Sequence, residues 1–468
     1  MTTAAALTPF QRLKRFLTIF DSRFEDLEKQ TWKKTVYRDF SAGLIVALTA
    51  IPMAMGFAMA MGLRPEQGIV AGALACIVGR TFGGSKYQVY GPTAAFIPLI
   101  ASLMAKYGEA NGGSFAQAHG FLVLVSGIAG VILVLCGLLG LGKLAAKVPP
   151  SIVVGFTIGI AIAIAMSNAG EALGLDLSKT RGTIGKVQAI VTQGSAINLW
   201  VLGLALLTFA LTRGLLRVSI FIPAPLIALG VATVLGATVL EDMGITLVRD
   251  RYGAIPSNFF AFTPPVLPGF SAGVAFDIVW FVAAIVFVSG VESLLCSSMA
   301  DRLANNKKTP FSPDKEFFGQ GIVQIVTPLI NGFPCTGALA RTATSIKAGA
   351  VTPLAGYFKG FLKLGLAIFL APLLGRVPMA CIAGILLWVA TNMIKKEEIK
   401  EVMALGRFHT AMMIYTAVMV PLTDFLTGVL SALFIYAIFS RFFVKKPAKP
   451  AAQDGQPESR PDLSAAAE

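Results

Sequence analysis

Two short stretches decide the architecture: Tyr90-Gly91-Pro92-Thr93-Ala94-Ala95 and Pro334-Cys335-Thr336-Gly337-Ala338. Each opens an apolar segment, 92–105 and 337–346, that falls short of the ~20 residues a helix needs to cross a bilayer. A short span that begins at Gly or Pro predicts a half-helix starting inside the membrane, preceded here by extended backbone at 89–90 and 333–335. Such a start leaves its first N–H groups unpaired, and the aligned peptide dipoles place about half a positive unit charge there. Two of these starts facing one another make an anion site. Irregular backbone at that depth is tolerated only where it lines a cavity or is buried in protein.

Working outward, a second pair of motifs shares the same spacing. Val148-Pro149 with Gly155 and Val377-Pro378 with Gly384 are both Val-Pro-x5-Gly, and each opens a hydrophobic segment. The apolar segments run at 42–61, 68–82, 92–105, 116–139, 150–169, 199–211, 220–240, 274–299, 319–330, 337–346, 357–374, 379–393, 412–422 and 425–443. Both motif pairs are offset by seven segments. An odd offset reverses the sense of crossing, so the expected fold is all-α and polytopic, with about fourteen segments in a seven-plus-seven inverted repeat. An even number of crossings puts both termini on one side. Most of the 39 lysines and arginines fall on that side, which makes it cytoplasmic, with Arg341 as the mid-membrane cation.

Composition agrees. Of 468 residues, 55% are hydrophobic and 14% charged, against ~25% charged in soluble domains. Soluble enzymes, nucleic-acid binders and disordered chains are excluded, and the net charge of +14 reports topology before partners. With two histidines, His119 and His409, there is no catalytic constellation, so the chain is not expected to be an enzyme. His119 is expected to be partly solvated near an outer helix end, and His409 to lie in a cytoplasmic loop. Cys76, Cys136, Cys296, Cys335 and Cys381 sit in apolar runs without metal or redox spacing. No cofactor, metal or nucleic acid is expected.

The first 38 residues form a basic segment in which Phe10, Leu13, Phe16, Leu17 and Phe20 recur at helical spacing. The pattern fits an amphipathic helix on the inner leaflet, or a solvated helix leading into the first span. The transport domain is expected over 39–444, and 445–468 reads as a disordered cytoplasmic tail.

Arg341 falls one turn into the second half-helix, where a cation is costly unless it faces water or a partner. It either helps bind the anion or pairs with a carboxylate. Glu292, in the middle of the eighth segment, is the available partner; it reads as a proton-binding coupling group, or as a fixed salt bridge or helix–helix hydrogen bond. Thr93 and Thr336, at the half-helix starts, are placed to donate hydroxyls to an anion. Phe57 and Phe96 either line the pocket or pack the core.

These residues carry a resemblance to the SulP (sulfate permease) family. The matching stretches are Asp39-Phe40-Ser41-Ala42-Gly43-Leu44, Ile51 to Ala58, Tyr90-Gly91-Pro92-Thr93-Ala94, Glu292-Ser293-Leu294-Leu295 with Ala300-Asp301, Glu316 to Gly321, and Ala340-Arg341-Thr342-Ala343-Thr344 with Gly349 and Thr352-Pro353-Leu354-Ala355-Gly356. The resemblance implies a core domain of segments one to four and eight to eleven, which carries the anion between the half-helices and slides against a gate domain of segments five to seven and twelve to fourteen. It implies a homodimer in a bacterial inner membrane. Thr93, Ala94, Thr336, Ala338 and Arg341 would bind substrate, with Met53, Phe57 and Phe96 lining the pocket and Glu292 coupling.

Three features depart from the family pattern. The usual STAS domain is not expected after the last span. Met53 stands where many members have glutamine, and Ile51-Pro52-Met53-Ala54 resembles the bicarbonate branch. Cys296 and Leu339 stand where sodium-coupled members carry hydroxyls. The expected function is secondary active transport of sulfate, bicarbonate or a C4-dicarboxylate, by proton coupling or exchange. A nucleobase permease of the same fold and an anion channel are the alternatives.

Overall fold

The computed structural model describes residues 8–27, 31–142, 149–177, 180, 182–240, 243–256, 259–423 and 425–443. Val148 of the first Val-Pro motif and the tail at 445–468 lie outside the described residues. Helices dominate, in the order α1 (Pro9–Leu17), α2 (Trp32–Ala60), α3 (Pro65–Phe82), strand β1 (Tyr90–Gly91), α4 (Ile97–Tyr107), α5 (Phe115–Leu139), α6 (Pro150–Leu173), α7 (Gly182–Thr192), α8 (Leu199–Val218), α9 (Ala224–Thr238) and α10 (Val248–Tyr252). The second half continues with α11 (Ala272–Leu303), α12 (Pro313–Leu329), strand β2 (Thr336–Gly337), α13 (Leu339–Lys347), α14 (Leu354–Leu374), α15 (Met379–Met393), α16 (Lys396–Ala404), α17 (Arg407–Leu422) and α18 (Phe425–Phe443). Every expected apolar segment coincides with a helix. Seven helical stretches among the described residues are long and apolar enough to cross a membrane alone.

The packing partners show the inverted repeat. In a seven-plus-seven arrangement, a contact between segments four and nine has its mate between eleven and two, and both occur, as α5 with α12 and α14 with α3. Likewise α2 with α14 is mirrored by α11 with α5, and α6 with α17 by α15 with α8. The Val-Pro motifs serve the last of these pairs. Pro149 and Pro378 are extended N-cap residues of α6 and α15, with φ, ψ of −62°, 135° and −64°, 137°. Gly155 brings α6 against the Met413 carbonyl of α17, and Gly384 brings α15 against the Ala205 carbonyl of α8.

Two histidine readings change, and the N-terminal segment packs on α12. Phe16 packs on Phe318 with ring centroids 5.4 Å apart, Arg12 reaches Asp314 at 3.3 Å, and Lys315 Nζ meets Asp21 at 2.6 Å. Phe10, Leu17 and Phe20 remain exposed along the other edge. His119 is buried, with Nε2 2.9 Å from the Gly332 carbonyl and Gln67 beside the ring, because α5 packs against the turn preceding β2. His409 lies in the first turn of α17, buried 3.4 Å from Ser151 Oγ, where α17 crosses α6.

The repeat makes a paired stability prediction. A Cβ on Gly155 would sit 2.5 Å from the Met413 oxygen, one on Gly384 would overlap the Ala205 oxygen, and one on Gly203 meets nothing within 4 Å. Gly155→Ala and Gly384→Ala should each cost about 1–3 kcal/mol by overpacking, whereas Gly203→Ala should be neutral or slightly stabilising. Thermal unfolding in detergent checks this; three indistinguishable curves would contradict it.

Candidate functional site

The two half-helix starts meet as an antiparallel pair, Tyr90 opposite Gly337 and Gly91 opposite Thr336. The Ala338 N–H donates to the Val89 carbonyl at 2.9 Å, and the Val89 N–H donates to Thr342 Oγ1 at 2.8 Å. These bonds satisfy backbone that a helix would otherwise have paired internally. Gln324 completes the set around Cys335, its Nε2 donating to the Cys335 carbonyl at 2.7 Å and its Oε1 accepting from the Cys335 N–H at 3.3 Å. Gly91 adopts φ 154°, open to a residue without Cβ. Beyond the strands, the first half-helix starts as a 3-10 turn, Ala94–Phe96, leading into α4 with Pro98 in its first turn. The second starts at Leu339 with Ala338 as N-cap. Their first-turn N–H groups have no intrahelical acceptors, and both ends converge on the β1–β2 pair.

The residues expected at the site converge there. Met53, Ala94, Ala338, Thr93 and Arg341 keep 8, 7, 6, 5 and 5% exposure. Thr93, Ala94, Ala338 and Arg341 lie at the half-helix starts. Met53, Phe57, Ala94 and Phe96 belong to one apolar cluster, and Phe96 is fully packed. Thr336 Oγ1 donates to the Ser289 carbonyl of α11 at 3.3 Å, and the side chain is fully buried.

Glu292 and Arg341 form no ion pair within 4.0 Å. Glu292 Oε2 instead accepts from Thr93 Oγ1 at 2.9 Å, tying α11 to the first half-helix by a helix–helix hydrogen bond. Arg341 Nη2 donates to the Pro92 carbonyl. Its buried Nη1 has no acceptor.

Several polar residues of this region were not singled out from the sequence. Lys359 and Lys363 lie in α14, both buried, so Arg341 is not alone among mid-membrane cations. Their i, i+4 spacing inside the apolar run 357–374 was the available signal. Glu316, at the start of α12, accepts from Tyr90 Oη and Gln88 Nε2 at 2.8 Å, Ser293 Oγ at 2.5 Å, and the Gly84 and Ser85 N–H groups at 2.9 and 3.2 Å. That set of donors makes it the anchor of the loop leading into β1. Cys296 Sγ sits 3.3 Å from Thr342 Oγ1. Among the described residues no cluster of His, Cys, Asp and Glu could hold a metal ion.

Known proteins resemble this chain in sequence and in fold. The putative sulfate transporter YvdB of Bacillus subtilis is 34% identical over 425 residues, 90% of this chain and 76% of that protein. The bicarbonate transporter BicA of Picosynechococcus is 28% identical over 404 residues, 86% and 69% of the two chains. The transmembrane domain of a cyanobacterial BicA superposes with a TM-score of 0.72 at 24% identity, over 86% of this chain and 98% of that one. The inward-facing murine Slc26a9 anion transporter gives 0.79 at 16% identity, over 94% and 73%. The sulfate permease family model matches residues 36–416. The chain belongs to the sulfate permease family.

Proposed function

We propose that the chain is a secondary transporter of a small oxyanion or carboxylate, sulfate, bicarbonate or a C4-dicarboxylate, in a bacterial cytoplasmic membrane with both termini inside. The carrying observation is Arg341 Nη1, a buried charged donor without an acceptor between two half-helix starts. A buried donor left unmade costs about 1–3 kcal/mol, more when charged, and an anion held by it and by the first-turn N–H groups removes that cost. The names of YvdB and BicA support the anion class. A nucleobase permease would ask for carboxylates facing the cargo from both repeats, and here the second half-helix presents a guanidinium.

Transport follows from how the helices group. α2, α3, α5, α11, α12 and α14 pack on one another and carry the half-helix junction, while α6, α8, α9, α15, α17 and α18 pack on one another. The first group acts as the carrier and slides as a unit against the second, an elevator motion that preserves the site while changing the side it faces. Glu292 couples the cycle. Ionised, it accepts from Thr93 and opposes an incoming anion; protonated, it removes that repulsion, so proton and anion travel together. Sodium is a poor fit, because Cys296 and Leu339 offer no oxygen to a hard cation.

In proteoliposomes Arg341→Ala should lower anion uptake efficiency at least tenfold, in line with loss of a charge-assisted hydrogen bond of about 1.5–3 kcal/mol. Wild-type affinity and rate would sink the assignment. Glu292→Gln should remove stimulation by an inward proton gradient while leaving anion binding measurable, and persistent proton-driven uptake would dismiss the coupling role. Trans-stimulation of wild-type uptake distinguishes the carrier from a channel, which shows none.

A further inference from the structure

The basic N-terminal segment docks on the molecule along one edge and leaves the other edge bare. On the docked edge Phe16 packs on Phe318, Arg12 reaches Asp314, and an added Cβ on Gly140 would overlap the Arg12 guanidinium. The 3-10 turn Ser22–Leu27 continues the contact. There Arg23 Nη1 donates to the Arg80 carbonyl at 3.1 Å and to the Gly83 carbonyl, closing the last turn of α3. α1 and this turn therefore lie where α3 and α5 end and α12 begins, the level at which those helices leave the bilayer.

Charge is sorted between the two edges. The described acids of the segment are engaged by basic side chains on the docked edge. Asp21 pairs with Arg23 at 2.8 Å and with Lys315 at 2.6 Å, while Asp26 and Glu25 lie 2.7 and 3.9 Å from the Lys86 amine. Lys14 and Arg15 stay exposed and, among the described residues, have no ion pair within 4.0 Å. They share the bare edge with Phe10, Leu17 and Phe20, which are 67, 51 and 76% exposed. The first turns of α2 add Trp32, Lys33, Lys34 and Tyr37, all exposed. Large apolar side chains interleaved with uncompensated cations at a membrane boundary ask for a surface that is hydrocarbon on one side and negative on the other.

We propose that the bare edge of α1 is a binding surface for anionic phospholipid of the cytoplasmic leaflet. Phe10, Leu17 and Phe20 enter among the upper acyl chains, and Lys14 and Arg15 meet the headgroup phosphates. Each basic residue close to such a leaflet adds about fivefold to the affinity. A protein partner would have to present an apolar, acidic face at the same depth, which the leaflet supplies by its composition. Because the segment is clamped to α3, α5 and α12, bound lipid holds the cytoplasmic ends of those helices at the leaflet.

The test uses the full chain with Leu17→Cys on a Cys136→Ser background, the other four cysteines being buried. An environment-sensitive fluorophore on residue 17 is read in vesicles of phosphatidylcholine alone or with phosphatidylglycerol, with brominated acyl chains as quenchers. Quenching should be strong with phosphatidylglycerol, weak without it, and lost as salt rises. Adding Lys14→Gln and Arg15→Gln, which alter exposed side chains, should raise the phosphatidylglycerol fraction at half-maximal quenching by about fivefold or more. Equal quenching in both vesicles overturns the proposal, since apolar contact alone then accounts for the edge. No quenching in either overturns it too, leaving the edge to solvent or to a partner protein, and so does an unchanged lipid dependence in the doubly neutralised variant. No cargo is needed, so this result stands apart from the success or failure of the transport reading.

Discussion

Backbone amides that end halfway through a low-dielectric layer have to be satisfied, and the structure is organised around that requirement. A single half-helix would expose a row of N–H groups and a positive dipole end with no water to receive them. Two of them, brought together by the β1–β2 pair, share part of the burden through inter-strand bonds and the Thr342 and Gln324 side chains. The inverted repeat is the geometric means of placing the two starts face to face, and the glycines at helix crossings, Gly155 and Gly384 among them, let the surrounding helices close around it.

The same constraint explains the distribution of charge. Several buried charges in this helix group serve backbone: Arg341, Lys359 and Lys363 donate to carbonyls, Asp39 accepts from N–H groups, and Glu316 accepts from two N–H groups as well as three side chains. Glu292 accepts from the Thr93 hydroxyl. A carboxylate held by one neutral hydroxyl is the group to which the proposed cycle assigns a change of proton occupancy. One held by five donors, as Glu316 is, serves as a fixed anchor.

Much of this was legible in the sequence because hydrophobic length and Pro/Gly position are strong signals in a membrane chain. The shortness of 92–105 and 337–346, together with the repeated Val-Pro-x5-Gly, located both half-helices and the symmetry that relates them. Thr93 and Arg341 followed from their places at those starts, and Ala94 and Ala338 from the family resemblance. What escaped were residues whose partners lie far off in sequence. Thr336 spends its hydroxyl on the Ser289 carbonyl because of strand register, which the chain order alone does not set. Lys359 and Lys363 are hidden by an apolar run that tolerates them only because β1 and α3 offer carbonyls. His119 is buried by the turn before β2 and His409 by α6, each from the other half of the molecule.

An experimental structure with selenate present, its anomalous signal marking the anion, locates the cargo. One strong peak should lie between the 93–95 and 339–341 amides, within hydrogen-bond reach of Arg341 Nη1. A peak elsewhere in the carrier group, or half-helix starts lying apart with no anion between them, would contradict the proposed site.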